Sequence, residues 1–308
     1  MYKINFEQPV HVHFIGIGGI SMSGLAEVLL EEHFTISGSD NKRSPLTEQL
    51  EKAGVTIFYG QKASNIIEGI DVVVYTAAIH EDNEEYQAAV QKGLPMLSRA
   101  ELLGQLMTNY DTPIAVSGTH GKTTTTSMLS HILLSAEMDP TISVGGILKA
   151  IGGNIRVGNS EIFLTEACEY TNSFLHFFPK IGVILNIDED HLDFFKDLAD
   201  IRHSFRKFAE LLPADGTLVI NGEIPELHEI TDGLACRVVT YGPDSSYDYS
   251  ATNILHDQIG EASFDFVKNG EFVTRIALSV NGDHNVSNAL AALAVADILK
   301  IDPKTAGQ

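Results

Sequence analysis

The chain has 308 residues, 44% hydrophobic and 20% charged, an ordinary globular balance with enough length for two cores. Its 41 acidic residues outnumber 20 basic ones, and the formal charge of −21 with no basic stripe excludes a nucleic-acid backbone as a partner. No apolar run reaches the roughly 20 residues that span a bilayer, no secretory leader opens the chain, and Cys168 and Cys236 make neither a disulfide framework nor a metal-ligand spacing, so a reducing, cytoplasmic setting is expected.

In chain order, residues 11–17 read as a buried strand and residues 21–31 as a helix with Leu25, Val28 and Leu29 on one face. The turn between them, Gly16-Ile17-Gly18-Gly19 with Gly24 beyond, has the form that seats a diphosphate at a helix N-terminus. A second strand at 34–37 leads into Ser39-Asp40, where an acidic side chain can meet a ribose hydroxyl. On these residues alone a dinucleotide site, a site for another nucleotide diphosphate and a tight packing turn stand side by side. Strands at 55–58 and 71–76 and helices at 46–53 and 83–92 follow. Strand–helix–strand repetition implies parallel strands joined by crossover helices. The polar stretch 107–112 interrupts the pattern and Pro113 restarts it, dividing the chain into expected domains at 1–107 and 108–308.

The second half opens with a strand at 114–117, the loop Gly118-Thr119-His120-Gly121-Lys122-Thr123, and a helix with Met128, Leu129, Ile132 and Leu133 on one stripe. Glycines let the backbone wrap phosphates, and N–H groups at the helix start point toward negative charge. Lys122 can neutralise β- and γ-phosphates, and the Thr123 hydroxyl can bind Mg²⁺. The strict loop pattern asks for glycine at position 116, where Val116 stands. The strand–loop–helix setting therefore carries the ATP reading, against that of a glycine turn beside a surface lysine.

Further strands are expected at 162–165, 181–186, 218–221 and 237–240. Glu166 ends the first of these, and Asn186-Ile187-Asp188-Glu189-Asp190-His191-Leu192-Asp193 follows the second. Parallel strands end on one edge, so both segments are expected beside the phosphate loop. Mg²⁺ takes oxygen ligands and keeps water and phosphate, so one or two carboxylates suffice. Glu166 and His191 are the candidates, whereas Asp188, Glu189, Asp190 and Asp193 read mainly as a solvated acidic turn. Asn269-Gly270 between alternating runs at 263–267 and 272–278 is a hairpin signal. The last helix, with Val286, Ala289, Leu290, Leu293 and Ala294 on one face, begins with His284, Asn285 and Asn288. Those three read equally as caps and as groups that bond or stack on a purine.

Taken in order, HFIGIGGISMSGLAEVL (13–29), SGTHGKTTTT (117–126), EACEYTNSFL (166–175), NIDEDHLD (186–193) and GDHNVSNALAA (282–292) resemble the Mur ligase family of peptidoglycan synthesis, over nearly the whole chain. The resemblance implies an α/β fold: a Rossmann-like N-terminal parallel sheet, then a P-loop-type ATP-binding domain with an added β-hairpin region. It implies ATP-dependent ligation of L-alanine to the lactyl carboxylate of UDP-N-acetylmuramate through an acyl phosphate. Under it, Gly118, Thr119, His120, Gly121, Lys122, Thr123 and Thr124 hold ATP, and His284, Asn285 and Asn288 face the adenine. Lys122, Glu166 and His191 act in catalysis, and Thr123, Glu166 and His191 surround Mg²⁺. Gly16, Gly18, Gly19, Ser39, Asp40, His80 and Arg99 hold the UDP moiety rather than NAD.

Two departures qualify the likeness. EACEYTNSFL replaces the commoner EADESD-type stretch, which passes the role of its second acidic residue to Glu169. No carbamylated lysine is assigned in the neighbourhood of residues 201–205. The family's third domain, which takes ADP and the incoming amino acid, has no counterpart before position 308, so a piece that binds but ligates little is expected. The rival readings are a tripeptide-recycling member of the same family, a nicotinamide oxidoreductase and a non-catalytic nucleotide-binding module.

Overall fold

A computed structural model describes residues 2–307; Met1 and Gln308, the outer ends of the two expected domains, lie outside the described residues. The chain forms two units, one from the segment up to Asn109 together with Gly153–Val157, the other from Tyr110–Gly152 and Gly158 onward.

The first unit contains β1 (His11–Ile15), α1 (Ile20–Glu31), β2 (Thr35–Asp40), α2 (Pro45–Lys52), β3 (Thr56–Tyr59), β4 (Val72–Tyr75), α3 (Glu84–Gln91), β5 (Met96–Ser98) and α4 (Arg99–Met107). The strands pair in the order β3-β2-β1-β4-β5, all parallel. The chain winds outward from β1 to β3 and then returns to β4 on the other side, so the crevice where a doubly wound sheet takes its ligands lies beyond the end of β1. The strand expected over 11–17 stops at Ile15 because Gly16 turns to φ +86°. Three helices begin on side-chain caps: Ser44 and Ser98 in capping boxes, and Asn83 accepting from the N–H groups of Glu85 and Tyr86. Helix α1 begins at Gly19 with no side-chain cap, which leaves its first N–H groups open.

The second unit contains β6 (Thr112–Ser117), α5 (Lys122–Ser135) and β7 (Thr141–Leu148); β8 (Gly153–Arg156) groups with the first unit. There follow β9 (Ile162–Ala167), β10 (Ile181–Ile184), α6 (Leu198–Glu210), β11 (Thr217–Asn221), α7 (His228–Thr231), β12 (Arg237–Gly242), β13 (Tyr249–His256), β14 (Glu261–Lys268), β15 (Glu271–Asn281), α8 (His284–Ile298) and α9 (Pro303–Ala306). The strands run β15-β14-β13-β12-β11-β10-β6-β9-β7, parallel from β13 to β7 and antiparallel at β13-β14-β15. The hairpin turn has Asn269 at φ +50° and Gly270 at φ +81°, the backbone that a two-residue turn between twisted strands requires. Val116, where the strict loop pattern wants glycine, is an inward core residue of β6, because the strand continues to Ser117 before the loop begins. Leu129 and Leu133 of α5 and the alanine-rich face of α8 close over Ile114, Val116, Leu164, Val183 and Val219. Helix α6 packs Phe205 and Phe208 on Phe174, with ring centroids 5.4 and 4.8 Å apart.

Candidate functional site

The loop after β6 is shaped by contacts that allow no side chain at its glycines. Gly118 adopts φ +143°, and a Cβ there would lie 2.9 Å from Leu185 Cβ. Gly121 adopts φ +85° as the N-cap of α5, and a Cβ there would lie 2.6 Å from Asn288 Oδ1. The segment after β10 fastens the loop from the side. Asn186 Oδ1 accepts from His120 N–H at 2.7 Å, Asn186 Nδ2 donates to His120 carbonyl at 3.0 Å, and Asp188 N–H donates to Thr119 Oγ1 at 2.9 Å. The Lys122, Thr123 and Thr124 N–H groups lie in the first turn of α5, where no intrahelical partner exists, and Thr125 N–H makes the first bond back, to Gly121. Open N–H groups on a 14-residue helix make a place for an anion.

Lys122 Nζ donates to Gly118 carbonyl at 2.5 Å, to Thr119 carbonyl at 3.1 Å and to Glu169 Oε2 at 2.9 Å. Glu169 is only 2% exposed, so the pair is a largely desolvated one. Thr123 Oγ1 donates to Glu166 Oε2 at 3.0 Å, while Glu166 Oε1 accepts from Gly145 N–H at 2.6 Å. Two neighbouring ligands of an octahedral Mg²⁺, each about 2.1 Å from the ion, stand about 3 Å apart, so this oxygen pair fits such an ion. Gly145 permits the approach, since a Cβ there would come within 2.8 Å of Glu166 Oε2.

His191 arrives on the same sheet edge by a different route. It stands at φ +52°, its ring 4.6 Å from the Tyr170 ring, and the Tyr170 hydroxyl donates to Asp193 at 2.7 Å. That hydroxyl is held protonated to higher pH than usual, first by its bond to Asp193 and then by the same carboxylate's charge. The expected set of Thr123, Glu166 and His191 is therefore joined at its first two members, while His191 rests on Tyr170. Among the described residues no three His, Cys, Asp or Glu side chains form a ready metal centre. Asp188, Glu189 and Asp193 are exposed, as a solvated turn requires. Asn288 and Asn285 are buried in series: Asn288 Nδ2 donates to Asn285 Oδ1 at 3.0 Å and Asn285 Nδ2 to Asn281 carbonyl at 2.7 Å, whereas His284 is exposed at the helix start.

In the first unit the glycine turn is tied down from β2. Gly16 and Ile17 N–H both donate to Ser39 carbonyl at 2.9 Å, and Gly18 N–H donates to Asp40 Oδ2 at 2.9 Å. The N–H groups of Gly16 and Gly18 thus have partners inside the protein, and the two glycines shape the turn. The Ser39 hydroxyl is buried and donates to Glu85 Oε2 at 2.6 Å. What stays open is the N-terminus of α1, beside Gly19, and there Arg99 Nη1 donates to Ser21 Oγ at 3.2 Å. His80 is exposed and further along the loop after β4.

Sequence patterning missed Asn186 as the clamp on the loop, Gly145 as the support of Glu166, Tyr170 as the neighbour of His191, and Asn154, whose Nδ2 reaches Ile20 carbonyl at 3.5 Å. Only Gly145-Gly146 carried a signal, as glycines inside a strand, which mark a close backbone approach.

Residues 116–296 match the Mur ligase middle domain, and residues 11–111 match the Mur ligase family, catalytic domain. The UDP-N-acetylmuramate–L-alanine ligases of Agathobacter rectalis and Lachnospira eligens are 61% and 57% identical to the chain over 99% and 98% of its residues. In both cases the chain spans 66% of the relative's length. Among solved structures, the UDP-N-acetylmuramate:L-alanyl-gamma-D-glutamyl-meso-diaminopimelate ligase of Neisseria meningitides superposes with a TM-score of 0.86 at 31% identity, covering 97% of each chain. The UDP-N-acetylmuramate-alanine ligase of Thermotoga maritima superposes with a TM-score of 0.79 at 30% identity, over 97% of this chain and 67% of the other.

Proposed function

The chain belongs to the Mur ligase family, and from that premise we propose that it carries the nucleotide-sugar and ATP sites of a ligase joining L-alanine to UDP-N-acetylmuramate. The reading is supported by identity to the alanine-adding relatives and by one geometric observation: Lys122, Thr123, Glu166 and Glu169 meet at the start of α5. A carboxylate is a poor acyl electrophile. One of its oxygens attacks the γ-phosphorus of ATP and ADP departs; the alanine nitrogen then attacks the acyl carbon, and phosphate leaves as the nitrogen gives up its proton.

In this mechanism the open N–H groups of Lys122, Thr123 and Thr124 hold the β- and γ-phosphate oxygens. Lys122 leaves Glu169 in part and turns its charge to the bridging oxygens. Thr123 and Glu166 would hold the Mg²⁺, which supplies charge neutralisation on the triphosphate. Asn285 and Asn288 position the loop through Gly121 and so the nucleotide bound on it. In the first unit, the N-terminus of α1 with Arg99 takes the diphosphate of the UDP-sugar, and Asp40 fixes the turn that aims it. The reading sets the reaction in the cytoplasm; no helix of the described residues is long and apolar enough to cross a membrane.

Calorimetric titration tests it directly. The chain is expected to bind UDP-N-acetylmuramate and, with Mg²⁺, a non-hydrolysable ATP analogue, each at one site. Binding of NAD in place of both would overturn the proposal.

A further inference from the structure

Parallel strands covered on both faces normally carry Val, Ile and Leu throughout. One face of β1 and β2 departs from that rule. His11 and His13 alternate on β1, Ser37 and Ser39 alternate on β2, and the register sets His13 against Ser37 and Ile15 against Ser39. His13, Ser37 and Ser39 are buried, and onto them α3 lowers a fully buried carboxylate, Glu85. With His11 these residues make one continuous chain of five side chains. His11 Nε2 and His13 Nδ1 each lie 2.8 Å from Ser37 Oγ, His13 Nε2 lies 2.7 Å from Glu85 Oε1, and Glu85 Oε2 accepts from Ser39 Oγ at 2.6 Å. The His13 ring is also bounded by Phe58, 6.2 Å away between centroids. Every member has a partner, which a buried polar network needs if it is not to cost more than an apolar core.

Such a network is out of place in a sheet core unless it fixes something, and its inner end shows what. Ser39 is the residue whose carbonyl accepts from both Gly16 and Ile17 N–H. Its neighbour Asp40 accepts from Gly18 N–H. We propose that Glu85 is a positioning residue for the UDP-sugar site: through Ser39 it fixes the carbonyl that holds the glycine turn, and with it the start of α1. The proposal rests on the reading of the first unit as the UDP-sugar site. Glu85 does not touch the ligand. It decides whether three consecutive N–H groups of the turn have fixed partners.

Three variants of the full chain test it, Glu85→Ala, Glu85→Gln and Ser39→Ala, each followed by amide hydrogen exchange at residues 16–19 without ligand and by calorimetry with UDP-N-acetylmuramate and with the ATP analogue. Gln keeps a donor and an acceptor in place, so Glu85→Gln is expected to keep parental exchange and to bind UDP-N-acetylmuramate within about threefold of the parent, the Kd ratio of a retained neutral hydrogen bond. Glu85→Ala and Ser39→Ala leave buried partners unmatched; the Gly16 and Ile17 amides are expected to exchange faster, with UDP-N-acetylmuramate affinity down about tenfold or more. Binding of the ATP analogue is expected to stay at the parental level in all three. Parental exchange at Gly16 and Ile17 in Ser39→Ala and in a folded Glu85→Ala overturns the proposal, whatever happens to binding. If Glu85→Ala does not fold, Ser39→Ala alone decides. A parent that fails to bind UDP-N-acetylmuramate overturns the functional reading instead, and the exchange data still judge the role of Glu85 in the turn.

Discussion

At the scale of single residues, Lys122 already has three acceptors for its three donors, and one of them is a carboxylate that solvent barely reaches. Removing the lysine therefore does two things. Lys122→Ala is expected to lower ATP-analogue affinity at least about tenfold, and also to lower the melting temperature, because an unpaired buried Glu169 costs about 3 kcal/mol. Combining Lys122→Met with Glu169→Gln removes both charges; that double variant is expected to recover the melting temperature while ATP stays unbound. Parental ATP affinity in the double variant would falsify the phosphate role of Lys122. Glu166→Gln keeps the shape of the side chain but loses the charge that suits a divalent ion. The Mg²⁺ concentration needed for half-maximal binding of the ATP analogue is expected to rise about tenfold or more. UDP-N-acetylmuramate affinity should be unchanged, and equal losses of both would count against separate sites.

At the scale of elements, two glycines share a backbone conformation and differ in surroundings. Gly121 at φ +85° faces Asn288 Oδ1, whereas Gly270 at φ +81° in the hairpin turn has nothing within 4 Å of an added Cβ. Gly270→Ala is expected to cost only the left-handed strain, about 1 kcal/mol, with ATP binding intact. Gly121→Ala adds a steric clash and is expected to cost about 2–3 kcal/mol and to abolish ATP binding. Thermal denaturation and calorimetry on the pair separate strain from site geometry. The junction of hairpin and last helix has a pH signature of its own. Burial, and then the bond to Asp297, holds the Tyr249 hydroxyl protonated well above its usual range, and Lys268 completes the group at 2.8 Å from Asp297. An unfolded tyrosine ionises near pH 10, so its contribution is present below that value and lost as pH rises through it, at up to about 1.4 kcal/mol per pH unit. Tyr241, buried and raised by desolvation, acts in the same direction. Chemical denaturation from pH 8 to 11 is expected to show this loss, and Tyr249→Phe should flatten it.

At the scale of the whole molecule, the charge of −21 means that any phosphorylated ligand must be drawn in by local arrangements against the general field. In the proposed reading, the open helix N-termini at α1 and α5, with Arg99 and Lys122, are those arrangements. Each ligand should stabilise the chain on its own, by about 2.7 kcal/mol when present at a hundred times its Kd. A thermal-shift series with UDP-N-acetylmuramate, ATP analogue with Mg²⁺, and NAD is expected to give upward shifts for the first two and none for NAD. A shift with NAD and none with the UDP-sugar would point to the dinucleotide alternative that the glycine turn left open.

Periodicity and turn chemistry were enough to read the parallel α/β architecture, the glycine loop leading into α5, the hairpin at Asn269-Gly270 and the final helix, because each is written in neighbouring residues. Strand β5, with three residues, is too short to show a period, and α6 was passed over although Asp197 caps it and Ile201, Phe205 and Phe208 recur at helical spacing. The sequence by itself determined the parallel α/β order and which polar side chains stand at its strand ends. Only the tertiary structure decided their partners: Glu169 for Lys122, Gly145 for Glu166, Ser39 for the N–H groups of Gly16 and Ile17, and Glu85 for His13. A hydrogen bond is made or lost within a few tenths of an ångström, between residues tens of positions apart, and spacing along a chain carries no information at that precision.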